Sequence, residues 1–102
     1  MKLLIATCLK EDQEKVANIF EQAKITVFSV SNTNGFKGNN YNNLLDSWFA
    51  AGSNSFDSLF LFSFTAEESA DQAIELIKSY NITTKSDFPI RAFIVPVEKS
   101  SY

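Results

Sequence analysis

The chain has no histidine, one cysteine, two prolines and three glycines among its 102 residues. Each shortage closes off a class of function. Without histidine, the commonest general base and the commonest neutral metal ligand are both missing. With Cys8 alone, no internal disulfide can form, and a catalytic thiol would lack its usual imidazole partner. Cys8 is therefore read as a buried, inert thiol in a central strand. No Cys/His cluster marks a metal site. No apolar run approaches the ~20 residues that a membrane-crossing helix needs. Positive charge is short as well. The net charge is -3 and the sequence pI is about 4.8, so nothing attracts a phosphate backbone at long range. Nucleic acid is not an expected partner.

The first ten residues hold a short apolar run behind Lys2 and pass straight into Lys10-Glu11-Asp12. That is too short for a signal peptide. Ile5 to Cys8 is only loosely like a lipoprotein cleavage box. Cytoplasm is the expected compartment.

What is present is apolar and aromatic. Apolar residues make up 45% of the chain, and ten are Phe. One domain over residues 1–102 fits this length. So many aromatic side chains need either an aromatic core or a subunit interface.

Leu3 to Leu9 reads as a first strand. Lys10 to Lys24 then changes period: Val16, Ile19, Phe20 and Ala23 recur at the spacing of one buried helix face. Ile25 to Thr33 reads as a second strand and Ser58 to Phe64 as a third. Thr65 and Glu68 match a capping box, and the helix after it runs to about Tyr80 with Ala70, Ala73, Ile74 and Ile77 inward. Asn81 to Pro89 is a polar connection, and Ile90 to Val97 is the last strand. The order is βαββαβ. Right-handed crossovers place both helices on one face of a four-stranded antiparallel sheet, an α+β ferredoxin-like fold.

Two helices cover one face only, and an open second face should alternate with polar residues. The third strand does not: Phe60, Phe62 and Phe64 point one way, Leu59 and Leu61 the other. The last strand opposes Phe93, Val95 and Val97 to Ile90, Ala92 and Ile94. Something must cover the helix-free side, and copies of the chain are the economical answer. This argument says oligomer without fixing the number of subunits.

The segment from Asn34 to Ser55 breaks the pattern. Loops between antiparallel strands usually span about 2–5 residues, and this one has roughly twenty. Leu44, Leu45, Trp48 and Phe49 fall on one helical face, with Asn43 as a cap. Either they anchor a partner or they fold back over their own sheet. Gly35 and Gly38 are expected to supply unusual backbone angles at the loop base. Lys37, Lys85 and Arg91 hold an anion if they meet in one cleft, and are three solvated charges otherwise.

Two stretches carry a family resemblance. Ile25-Thr26-Val27-Phe28-Ser29-Val30, leading into Asn34-Gly35-Phe36, resembles the second strand and T-loop base of the PII signalling family. Phe93-Ile94-Val95-Pro96-Val97-Glu98 resembles that family's last strand. The element order and the place of the long loop agree, so the likeness spans nearly the whole chain. It implies a homotrimer with its sheets packed inside and no catalysis. It implies an adenine nucleotide or a related small molecule in clefts between subunits. It further implies a T-loop, here at about 34–55, that binds a membrane transporter or a metabolic enzyme. Distant groups of the family are linked to heavy-metal efflux. By this likeness the ligand-binding residues are Gly35, Phe36, Lys37, Gly38, Lys85 and Arg91. Those that meet the partner are Tyr41, Leu44, Leu45, Trp48 and Phe49.

The chain also departs from the family. Lys37-Gly38-Asn39 stands where a small residue and a nucleotide-holding Gln are usual. Tyr41 lies outside the family's modified tyrosine motif. Thr83 to Ile90, where the family has a glycine-rich phosphate loop, contains no glycine. Arg91 takes the place of the family's phosphate-binding Lys. The ligand is therefore left unassigned. Alternatives on the same fold are a trimeric divalent-cation-tolerance protein of the CutA type, a small dimeric enzyme, and an RNA-binding domain. The last is opposed by the acidic balance, and the enzyme by the lack of any acid–base pair.

Overall fold

The computed structural model describes residues 1–36 and 55–101. Strand β1 (Lys2–Leu9) leads through a short 3-10 turn, Lys10–Asp12, into helix α1 (Gln13–Gln22). Strand β2 is Ser29–Phe36 and β3 is Ser55–Thr65. Helix α2 (Glu67–Thr84) returns the chain to β4 (Arg91–Pro96). The sheet order is β2-β3-β1-β4, with each neighbouring pair antiparallel. This is the ferredoxin-like arrangement expected from the pattern.

Alternation along the strands divides the sheet into two unlike faces. Leu4, Ala6 and Cys8 of β1 and Leu59, Leu61 and Ser63 of β3 are buried on the helix side. Val16, Ile19, Phe20 and Ala23 of the first helical segment and Ala70, Ala73 and Ile77 of α2 are buried with them. Ser63 is the one buried polar residue among those described, and its hydroxyl donates to the Val27 carbonyl at 2.6 Å. That bond fixes the chain between α1 and β2. Phe28 meets Phe20 edge-on at 5.0 Å, a contact worth about 0.5–1.5 kcal/mol beyond burial.

The opposite face has no helix. Leu3, Ile5, Phe60 and Phe62 are only half-buried, while Phe64 and Phe93 are 57% and 56% exposed. Phe60, Phe62 and Phe64 form a ladder along β3, with ring centroids 5.8 and 6.3 Å apart. Phe93 and Phe62 flank Ile5 through the β4–β1 and β1–β3 pairings. The apolar second face is therefore real, and no described residue of the chain covers these rings.

Several boundaries differ from expectation. The second strand begins at Ser29, not Ile25. Helix α1 ends in a Schellman turn: Lys24 takes a left-handed φ of 64°, Ile25 N–H donates to Phe20 O at 2.8 Å, and Lys24 N–H to Glu21 O at 3.0 Å. Ile25 is consequently a buried helix-end contact. Gly35 and Phe36 are not loop residues but the end of β2, where Gly35 pairs with Phe56. Gly35 has no left-handed φ. Its value lies in having no side chain, because a Cβ there would overlap the Phe56 ring. Thr65 is the last residue of β3, so the capping box does not form; Ala66 is the N-cap and no side chain caps α2. Helix α2 continues past Tyr80 to Thr84 and stops at Lys85, whose φ of 50° and ψ of 39° are left-handed.

Candidate functional site

A cleft of about 300 Å³ opens at the end of the sheet where β2 stops, β3 starts and β4 starts. Its floor is Thr7, Leu9 and Ser58. Gly35, Phe36 and Phe56 form the side from which residues 37–54 depart and return. Asp87, Phe88 and Pro89 of the α2–β4 connection form the facing wall, and Arg91 stands at its foot.

Register explains the convergence. Thr7 pairs with both Phe60 and Arg91, so Arg91 shares the helix-free face with the aromatic ladder. Leu9 pairs with Ser58, and Thr33 pairs with Ser58 on the far side. The Thr33 and Ser58 hydroxyls lie 2.6 Å apart in a hydrogen bond. Phe56 can lie across Gly35 because that position is bare, and its ring meets Phe88 at 4.9 Å with 61° between planes. One aromatic contact thus ties the base of the long segment to the α2–β4 connection.

That connection is held by side chains. Asn81 clamps Ile90, and the Phe88 N–H donates to the Ser86 hydroxyl at 3.0 Å. The nearby Cys8 thiol is pushed up to about 11 by burial, with the Asp12 charge adding to the effect. It is neutral at ordinary pH and supplies neither a nucleophile nor a charge to the cleft.

Of the ligand residues expected from sequence, Gly35, Phe36 and Arg91 come together here. Lys85 does not line the cleft; it terminates α2. Lys37 and Gly38 lie outside the described residues, as do Tyr41, Leu44, Leu45, Trp48 and Phe49. Sequence reasoning missed Thr7, Phe56, Ser58, Asp87 and Phe88. Phe56 and Phe88 flank the strands that the pattern delimited, and their meeting is a tertiary ring contact that no local pattern signals.

Among the described residues no group of three or more His, Cys, Asp and Glu is arranged to hold a metal, and no helix is long and apolar enough to cross a membrane. These features define an α+β domain of the ferredoxin-like class with a cleft at one sheet end. No protein-family profile matches the sequence, and none of the curated proteins does. Among solved structures, the fold matches that of a "putative PII-like signaling protein" from Thermus thermophilus with a TM-score of 0.64. The match covers 91% of this chain and 82% of that one at 9% identity. The PII-like fold is thus confirmed. In all, 187 solved chains match, and a fold so widely shared does not by itself assign an activity.

Proposed function

We propose that the protein is a PII-like regulator that acts in the cytoplasm without catalysis. Chains associate, as a homotrimer, through the helix-free face of the sheet. A small ligand binds in the end-of-sheet cleft, completed by a neighbouring subunit. Its binding alters the segment between β2 and β3, and Tyr41, Leu44, Leu45, Trp48 and Phe49 on that segment meet the target. The target is a membrane transporter, with heavy-metal efflux one candidate, or a metabolic enzyme.

The observation that carries this reading is the cleft itself. It joins both stems of the long segment, at Phe36 and Phe56, to the only arginine in the chain. A ligand held there touches the two points from which the segment springs. The exposed Phe64 and Phe93 support the association, because an apolar patch of this kind is costly to leave wet.

The test has two arms. Sedimentation velocity at micromolar concentration should give a trimer, and Phe64→Glu with Phe93→Glu should give monomers. Calorimetry against nucleotides, bicarbonate and small organic anions should find a ligand whose binding changes the fluorescence of Trp48. A wild-type monomer that responds to none of them ends the proposal.

A further inference from the structure

The α2–β4 connection walls the cleft through Asp87, Phe88 and Pro89, and most of its backbone donors are already committed. Across residues 85–90, the Lys85 N–H donates to Asn81 O at 3.0 Å. The Phe88 N–H donates to Ser86 Oγ and the Ile90 N–H to Asn81 Oδ1, each at 3.0 Å. Pro89 has no N–H. Four of these six positions therefore offer no amide to a ligand. An anion-binding nest needs successive N–H groups turned into one concavity. The single left-handed residue of the connection is Lys85, and its amide closes the helix.

The charge of the cleft argues the same way. Among the described residues, Arg91 and Asp87 are the charged ones that line it, and their formal charges cancel. Among the described lining, a ligand with several negative charges would meet a single guanidinium and a carboxylate beside it. A single negative charge suits the guanidinium fork better.

Most of the remaining lining is aromatic or small, with Leu9 and Pro89 beside it. Phe36, Phe56 and Phe88 stand around the opening, and the Thr7 and Ser58 hydroxyls lie on the floor. At about 300 Å³ the cleft is at the small end of ligand sites, which run from about 300 to 1,000 Å³. Three rings around a small opening favour a flat π-system, by edge or offset contact.

Resting on the sensor reading above, we infer that this cleft selects a flat aromatic ligand bearing one negative charge and discriminates against polyphosphates. The charge is that of a carboxylate or of a phosphodiester; Arg91 receives either in the same way. The aromatic body lies among Phe36, Phe56 and Phe88. With the amides of Lys85, Phe88 and Ile90 committed and none at Pro89, the connection keeps at most the two amides of Ser86 and Asp87 for a β- or γ-phosphate.

The experiment is a calorimetric series on the full-length wild-type protein and on Arg91→Gln, with oligomeric state followed in parallel. The probes are naphthoate and cyclic AMP as monoanions of the two kinds, acetate as a monoanion without a ring, and ADP and ATP as polyanions. At least one aromatic monoanion should bind roughly tenfold or more tighter than acetate, ADP and ATP. Arg91→Gln should weaken it by about tenfold or more, the effect of removing a charge-assisted hydrogen bond. The stronger of naphthoate and cyclic AMP identifies the source of the charge. If ADP or ATP binds as tightly as the aromatic monoanions, the inference is overturned while the sensor reading stands. If no probe binds and the chain sediments as a monomer, both fail. If no probe binds to an assembled oligomer, the ligand class is wrong and only association survives.

Discussion

The side-chain amide of Asn81 holds both backbone polar groups of Ile90: Nδ2 donates to the Ile90 carbonyl at 2.7 Å, and Oδ1 accepts from the Ile90 N–H at 3.0 Å. The pair acts as a local substitute for strand pairing. It draws the last turns of α2 against the lead-in to β4 and so sets where Arg91 begins its strand. Ile90 is buried, and its backbone groups need partners wherever water is kept out.

Asn81→Ala removes both bonds and leaves two backbone groups without them. The expected loss is about 1–3 kcal/mol of stability, read as a lower urea midpoint at unchanged slope. Asn81→Asp keeps an acceptor for the N–H but loses the donor, and should fall between. Equal midpoints for Asn81→Ala and the wild type would show that the clamp is incidental.

Gly35→Ala should act on the cleft more than on the fold. The added Cβ meets the far end of the Phe56 ring, which can swing aside at a cost of about 1 kcal/mol. The ring then leaves Phe88, and the cleft wall opens. The sign is a change in the Phe56 and Phe88 aromatic NMR shifts with a small drop in melting temperature. Unmoved Phe88 signals would contradict the coupling.

Cys8 makes an alkaline prediction. Its pKa rises from an ordinary 9.0 to about 11 because burial, and then Asp12, disfavour the thiolate. The folded chain therefore holds this proton more tightly than the unfolded chain. The stabilisation is complete below pH 9.0 and is lost as pH climbs through about 11, a fall of at most about 2–3 kcal/mol. Urea midpoints of the wild type should decline more steeply over that window than those of Cys8→Ala. Parallel declines would refute the assignment.

Lys85→Gly separates a structural role from a binding one. Lys85 sits left-handed at the end of α2, a conformation that glycine takes without the strain a Cβ brings. The variant should melt higher, with a gain of up to about 1 kcal/mol, and should bind any cleft anion as the wild type does. A loss of affinity without a gain in stability would return Lys85 to the ligand site.

Most of the fold is legible in the pattern because the core elements carry strong periodicity. Val16, Ile19 and Phe20 mark α1, and the alternation of Leu59 and Leu61 with Phe60 and Phe62 marks β3. The failure at β2 has a physical cause. Ile25, Val27 and Phe28 look like a strand, but Ile25 serves a helix end and Phe28 packs on Phe20. The true strand, Ser-Val-Ser-Asn-Thr-Asn-Gly-Phe, is an edge strand exposed along most of its length. Polar residues suit such an edge, and β3 supplies its pairing partner. Similarly, Gly35 reads as a turn residue in the sequence because glycine most often serves backbone freedom. Its partner Phe56 lies twenty-one positions away in the chain, and one sequence alone does not reveal that close approach. Arg91 is legible in the sequence as a candidate residue and does line the cleft; the wall that faces it is not legible.

The aromatic ladder on the open side of the sheet has a thermal consequence. Attraction between oily surfaces draws on the entropy of the water they release and weakens as the solution cools. Whatever rests on Phe60, Phe62, Phe64 and Phe93 should be held more loosely in the cold room than at body warmth. Its removal of those rings from water should register as a negative heat-capacity change.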